Sequence, residues 1–342
     1  MKKVAGRSYP INLLILVFAL GLSVAVGSVS IPVSDIFRLF TKTITRQLLS
    51  DTFQTYATIV FQLRLPRTVL MAIVGASLAG SGASYQGLFR NPLADPYLIG
   101  VASGAGLGAM IAMSINFPYS LLGLMAVPLA AFLGAVATVF AVYALARVGK
   151  TLPTTNLILA GVAASAFTNA IASFLLVQAS GDLRRALVWL LGGSSLSGWQ
   201  PVLASLPYIL VGLGVLFTMG HALNVLQFGD DQAHQLGLRV NRVRVLVILA
   251  ASLATAAAIS VAGIIGFVGL IVPHVIRLIW GGDYRHLLPA SMIGGASLLL
   301  FSDVAARVVL APQELPVGII TALVGAPFFF WVLSRAKRQN YW

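Results

Sequence analysis

Between Tyr97 and Ala146 the sequence carries not one Asp, Glu, Lys or Arg. A single helix of that length would reach about 75 Å, whereas the hydrocarbon core of a bilayer is about 30 Å thick. The run therefore predicts two apolar spans, with Asn116-Phe117-Pro118 as the turn between them. Leu246–Trp280 poses the same problem on a smaller scale. It contains only Arg277, one helix would run about 52 Å, and the break falls among Gly263, Gly266 and Gly269. Extended along the chain, this reading places spans near 11–31, 68–86, 97–115, 119–146, 155–178, 202–223, 245–262, 264–280, 287–306 and 315–334. With 58% hydrophobic and 9% charged residues, the composition lies far outside that of soluble globular domains. The expectation is an all-α polytopic membrane protein. It has one membrane domain over 1–342, ten transmembrane helices, short cytoplasmic helices between them and no room for a soluble domain.

The first span follows Lys2, Lys3 and Arg7 and precedes Ala25-Val26-Gly27-Ser28, a pattern that imitates a secretory signal. Its apolar run, Ile11 to Ile31, is long enough to span, so a retained first helix is expected. The net charge of +13 sits in loops between apolar runs, where it sets orientation in a bilayer and does not indicate nucleic acid. A cytoplasmic N-terminus puts 14 Lys and Arg inside and 8 outside, and ten spans then place both termini in the cytoplasm. Eight external positive charges are still many: Arg38, Lys42, Arg46, Arg64, Arg67, Arg184, Arg185 and Arg307. The external segment 32–63 reads as an amphipathic surface helix and loop. The piece 182–199 is too short to span and reads as a short helix near the outer surface, with Trp189 at the interface.

Several motifs fail on inspection. Val148-Gly149-Lys150-Thr151 lacks the earlier glycine of a phosphate-binding loop, because position 144 is Ala, and no strand precedes it. The chain is therefore not expected to bind ATP. Gly104-Ala-Gly106-Leu-Gly108 lies inside a span and is no dinucleotide fingerprint. None of His221, His234, His274 and His286 has a metal-ligand spacing, and cysteine is absent, so neither a metal site nor thiol chemistry is expected. No cofactor of the chain's own and no enzymatic activity are anticipated. The cores of spans three to seven, nine and ten hold no Asp, Glu, Lys or Arg, so no charged proton relay is evident. Energy would then arrive from outside the chain. A sodium-coupled secondary transporter, a passive channel and a component without a transport role are the alternatives.

Residues 228–244 are the densest charged stretch in the chain. They read as a small helix, with Asp230 at the N-cap, Asp231 at the positive end and Gly237 at the C-terminus. One reading is a grip for a soluble partner, centred on 228–240. The other is an ordinary cytoplasmic loop. Arg239, Arg242 and Arg244 follow as markers of topology. At the other face, Arg64-Leu65-Pro66-Arg67 opens span two, with Pro66 suited to a first helical turn. Asp303 and Arg307 are spaced to pair along a helix, which if exposed is worth about 0–1 kcal/mol. Arg64, Arg67 and Arg307 read either as anchors at the membrane interface or as docking charges for acidic groups on a partner. Gly100, Gly104 and Gly108 share a helix face and permit close packing.

With these residues placed, the chain resembles the FecCD-type permeases, the membrane subunits of bacterial ATP-driven importers for iron–siderophore complexes, haem and cobalamin. The resemblance rests on Arg64-Leu-Pro-Arg67; Gly75-Ala-Ser-Leu-Ala-Gly-Ser-Gly82; Gln86 with Arg90-Asn91-Pro92-Leu93-Ala94-Asp95-Pro96; and Leu159-Ala160-Gly161. It continues through Gly229 to Gly237, Gly266 to His274 with Arg277, Leu287-Leu288-Pro289, Asp303 with Ala306-Arg307, Glu314 to Gly318 and Gly325-Ala-Pro327. It implies ten helices per subunit, a homodimer with the pathway on its two-fold axis, two cytoplasmic ABC ATPase subunits that hold ATP and Mg, and an external substrate-binding protein. It implies that Gly229, Asp230, Asp231, Gln232, Ala233, Leu236 and Gly237 form the surface the ATPase subunits engage. It also implies that Arg64, Arg67 and Arg307 meet glutamates of the binding protein, and that Asn91, Leu93, Thr154 and Thr155 line the cytoplasmic gate. Siderophore-bound iron ranks first as cargo, then haem, then cobalamin. No role carries over to segment 32–63.

Overall fold

A computed structural model describes residues 2–27, 29, 31–45, 51–115, 121–149, 151–178, 183–193 and 197–339. The described residues form helices and the turns between them, with no strand beyond one isolated bridge between Val148 and Thr151. The helices are α1 (Lys2–Ala25), α2 (Val33–Ile44), α3 (Asp51–Ala57), α4 (Leu65–Leu88), α5 (Val101–Ser114), α6 (Leu121–Ala146), α7 (Thr154–Gln178) and α8 (Leu183–Leu190). They continue as α9 (Gln200–Thr218), α10 (Gly220–Leu226), α11 (Asp230–Gln235), α12 (Val240–Ala262), α13 (Val268–Trp280), α14 (Tyr284–Val308) and α15 (Val317–Gln339). Among the described residues, six helical stretches are long and apolar enough to cross a membrane: Phe53–Leu88, Met125–Ala146, Thr154–Gln178, Gln200–Thr218, Val240–Ala262 and Tyr284–Val308. The other four expected spans fall on shorter apolar helices, Tyr9–Ala25, Val101–Ser114, Val268–Trp280 and Val317–Val332.

Helices α4, α12 and α14 form the interior. In α12, from Val247 to Ala262, small alanines alternate with Val and Ile and nearly every side chain is buried. Small residues set how close the helices come. A Cβ on Gly75 would stand 2.3 Å from the Gly295 carbonyl oxygen, so α4 and α14 touch backbone to backbone. The expected glycine face works the same way between α5 and α6, where a Cβ on Gly108 would meet the Ala130 carbonyl at 2.0 Å. Gly100 stands just outside the helix as the N-cap of α5, at φ +82°, and still faces α6, where a Cβ on it would meet the Thr138 methyl at 2.9 Å.

The predicted break in 246–280 is present: α12 stops at Ala262, Gly263 turns at φ +74°, and α13 starts at Val268. Asn116-Phe117-Pro118 lies outside the described residues. Three expectations need correction. Helix α1 ends at Ala25, not near Ile31, because its last carbonyls are taken by arginine side chains described below. Pro66 lies in the first turn of α4, as its type suggests, but the span does not begin there. The helix runs on from α3 through a π-helical turn, Thr58–Arg64, into α4, and that wider turn re-spaces the hydrogen-bond ladder just before the residue that has no N–H to give. Trp189 is not at an exposed interface but buried in the apolar core. Segment 32–63 packs its own small core of Ile31, Ile36, Leu39 and Val60, with Lys42 over the Phe53 ring.

The start of α14 is tied to α10 by one carboxylate. Asp283 caps α14 by accepting from the Arg285 amide (3.0 Å), and it also accepts from Asn224 Nδ2 (2.7 Å). Asn224 returns the contact by accepting from the Tyr284 amide (2.9 Å). The Arg285 guanidinium beside it holds the Asp283 carboxyl well below the usual carboxylate range. Asp283→Ala is expected to cost about 1–2 kcal/mol, as lost caps do. Because the folded carboxyl is the stronger acid, its contribution is present above the ordinary pKa of about 4 and fades as pH falls through the folded value. The gap in melting temperature between wild type and the variant should therefore be full at neutral pH and shrink on acidification. A gap that widens in acid would contradict the linkage.

Candidate partner-docking sites

The C-terminal ends of α1 and α14 and the start of α4 meet around three arginines. The last carbonyls of α1 have no partner within the helix and sit at the negative end of its dipole, so cations are favoured there. Arg64 donates from Nη1 to the carbonyls of Val24 (3.0 Å) and Ala25 (2.8 Å), and from Nη2 to that of Val29. Arg307 donates to the carbonyls of Ser23 (3.2 Å) and Val26 (2.8 Å). These two arginines are 6% and 4% exposed. Arg67 differs. Its side chain is 32% exposed, its Nε donates to Asp303 Oδ1 (2.9 Å) and its Nη1 donates to Glu314 Oε2 (2.6 Å).

Asp303 and Arg307 do pair at the expected spacing, Oδ2 to Nη2 at 2.9 Å, though without good hydrogen-bond alignment. The pair is buried rather than exposed. Asp303 has no exposed surface and serves Arg67 as well, which its spacing to Arg307 alone does not reveal. Glu314, 40% exposed, was legible only as a matched motif residue, not as the partner of Arg67. All three arginines and Glu314 line one cavity of about 380 Å³, floored by Gly192, Gly193 and Leu70.

At the opposite end of α12, α11 forms a closed turn of six residues. Its N-cap is Gly229 at φ +100°, not Asp230. Asp230 cannot cap because its carboxylate is turned aside to two arginines: Oδ2 lies 2.9 Å from Arg244 Nη2, and Oδ1 lies 3.8 Å from Arg90 Nη2. The C-terminus closes as predicted. The Leu238 amide donates to the Ala233 carbonyl and the Gly237 amide to that of His234, both at 2.9 Å, with Gly237 at φ +83°. Ala233 is fully buried under its helix, whereas Asp231 and Gln232 are exposed and Phe228 and Leu236 are 65% and 66% exposed. Arg244 is no free topology marker. It is 5% exposed and donates to the Leu152 carbonyl (2.8 Å) as well as to Asp230.

The gate candidates lie on the loop after α4 and at the start of α7. Asn91 Oδ1 accepts from the Leu93 amide (2.9 Å), leaving the Leu93 side chain 49% exposed. Thr154 and Thr155 begin α7, Thr155 exposed and Thr154 half-buried. Among the described residues no hydrogen bond joins the two pairs. Other motif residues do meet: Arg277 donates to Gln86 Oε1 (3.1 Å) and to the Tyr284 hydroxyl (3.2 Å), and Tyr97 donates to the Ile265 carbonyl (2.6 Å) in the break before α13.

The chain is similar to known proteins over most of its length. The FecCD transport family matches residues 14–335. The chain is 48% identical over 280 residues to the cobalamin import system permease BtuC of Halobacterium salinarum, covering 82% of this chain and 74% of that one. It is 40% identical over 281 residues to the hemin transport system permease HmuU of Yersinia pestis, covering 81% and 84%. A solved structure described as a metal-chelate type ABC transporter in an inward-facing conformation superposes with a TM-score of 0.81 at 30% identity, over 96% of this chain and 99% of that one. The chain belongs to the FecCD transport family of ABC-transporter membrane permeases.

Proposed function

We propose that the chain is the membrane subunit of an ATP-driven importer that carries a bulky metal chelate into the cytoplasm, with siderophore-bound iron ranked first and haem and cobalamin next. Two copies would enclose the pathway, each crossing the membrane ten times with both termini inside. Two ATPase subunits would engage 229–237, and an external binding protein would deliver the chelate near Arg64, Arg67 and Arg307. ATP-driven closure of the ATPase pair would move α11, and the cavity between the copies would open from one side to the other past Asn91, Leu93, Thr154 and Thr155.

The observation that carries this reading is the surface of α11. A rigidly closed turn with a buried Ala233 presents Phe228 and Leu236 outward beside the exposed Asp231. Burying a leucine side chain against a partner is worth about 1.5–3 kcal/mol. Leu236→Asp should therefore weaken association with the ATPase subunit by roughly ten- to a hundredfold, with membrane insertion and melting unchanged. Undiminished co-purification would count against the site. Ala233 is a poorer probe of contact than of seating, since a larger side chain there would first displace the helix. The absence of Asp, Glu, Lys and Arg from most span cores supports an external energy source, and transport by the purified chain alone in liposomes would contradict it. Uptake assays with a ferric siderophore, haem and cobalamin in turn decide the cargo.

A further inference from the structure

We infer that Arg244 is a positioning residue that carries displacement of α11 into the loop that begins α7. The inference rests on the proposed function, and in particular on 229–237 as the ATPase contact. Helix α11 has six residues and is too short to act as a lever, so its motion must leave through side chains. One carboxylate provides the exit. Asp230 contacts Arg244 through Oδ2 and Arg90 through Oδ1.

Arg244 then reaches past α11. Its Nη1 donates to the carbonyl of Leu152 at 2.8 Å, two residues before Thr154. One guanidinium thus spans the docking helix and the start of the candidate gate helix; the Arg244 side chain is almost fully buried, while its partner Asp230 is 42% exposed. A planar fork with several donors suits this double contact, whereas an ammonium makes a point contact.

Arg90 supplies a looser arm toward the second gate loop. It directly precedes Asn91, its side chain is 45% exposed, and its backbone is held at φ +51°, a region uncommon for a residue with a side chain. A parallel tie runs from Gln227 Nε2 to the Gly87 carbonyl at 2.9 Å, so the end of α4 and the α10–α11 turn move together. Neither Asp231 nor Asp283 links α11 to the loop before α7. Asp231 is exposed with no ion pair among the described residues, and Asp283 pairs with its near neighbour Arg285 and ties α10 to α14 through Asn224. A purely structural role for Arg244, as a clamp holding α11 on the body, makes a different prediction and is separated from transmission as follows.

The complete transporter, with ATPase and binding protein, is reconstituted in liposomes, and chelate moved and ATP hydrolysed are measured together. Arg244→Gln should leave the ATPase bound and hydrolysing while chelate moved per ATP falls on the order of tenfold, the range of ordinary coupling energies. Arg244→Lys, which keeps the charge opposite Asp230 but not the span to Leu152, should fall between wild type and Arg244→Gln. Arg90→Gln, at an exposed side chain where folding is not at risk, should lower the ratio in the same direction by less. Because the chain has no cysteine, Thr155→Cys provides one thiol whose labelling rate reports on the gate. That rate should change on ATP addition in the otherwise wild-type complex and not in the Arg244→Gln complex. An unchanged transport ratio, or an ATP-dependent labelling change that survives Arg244→Gln, overturns the inference. So does loss of ATPase binding in both Arg244 variants, which would make the residue a clamp. Failure of the wild-type chain to bind an ATPase at all would instead remove the proposed function.

Discussion

Asp303→Leu is expected to destabilise the protein by about 3–5 kcal/mol, the usual result of removing one partner from a buried ion pair. The carboxylate has no exposed surface, and Arg307 beside it is 4% exposed. Deleting the acid strands a nearly buried guanidinium without its counter-charge and leaves Arg67 with Glu314 alone. The same cluster joins three helices, since Arg67 belongs to α4, Asp303 and Arg307 to α14, and the carbonyls that Arg307 satisfies to α1. Chemical denaturation in detergent measures the loss. Adding Arg307→Met to Asp303→Leu should recover part of it, because an apolar pair of similar volume removes the stranded charge. Recovery stays incomplete, since Ser23 and Val26 then lose the donor that ends α1. A single Asp303→Leu cost below about 1 kcal/mol would mean that the pair is solvated after all.

The parts of this molecule that follow from length and apolar periodicity were legible in the sequence. The break at Gly263 and the packing of α5 on α6 are forced by membrane thickness and by glycine's missing side chain. The closure of α11 at Gly237 follows from local backbone chemistry in the same way. What failed depended on partners distant in sequence. Asp230 looked like a cap because Asp favours that place, yet Arg90 and Arg244 compete for its carboxylate from 140 and 14 positions away. Arg64 and Arg307 looked like free external charges because both lie at span ends, but the end of α1 comes to rest on them. Trp189 looked interfacial because tryptophan favours that depth in a membrane, and tertiary packing buried it instead. In each case the residue type set a local preference and a non-local contact decided against it.

That burial changes which arginine can report on docking. Replacing Arg64 or Arg307 removes donors from the α1 carbonyls, so lost uptake in those variants would report folding first. Arg67 is the informative position, because its guanidinium already holds a half-exposed carboxylate, Glu314, at 2.6 Å in the wall of the cavity. A glutamate from a docking partner would compete for the same donors. Arg67→Ala should therefore weaken binding-protein affinity by about 2–5 kcal/mol if the contact is desolvated in the complex, raising Kd by roughly thirty- to several-thousandfold. Glu314→Gln should act in the opposite direction by less, since breaking a partly exposed internal pair frees only about 0–1 kcal/mol. Titration of the binding protein onto detergent-solubilised permease at low and at high salt separates the effects. The wild-type affinity should fall with salt, and that fall should shrink in Arg67→Ala. Equal affinities in wild type and Arg67→Ala, with both chains melting alike, would place the docking surface away from this cavity.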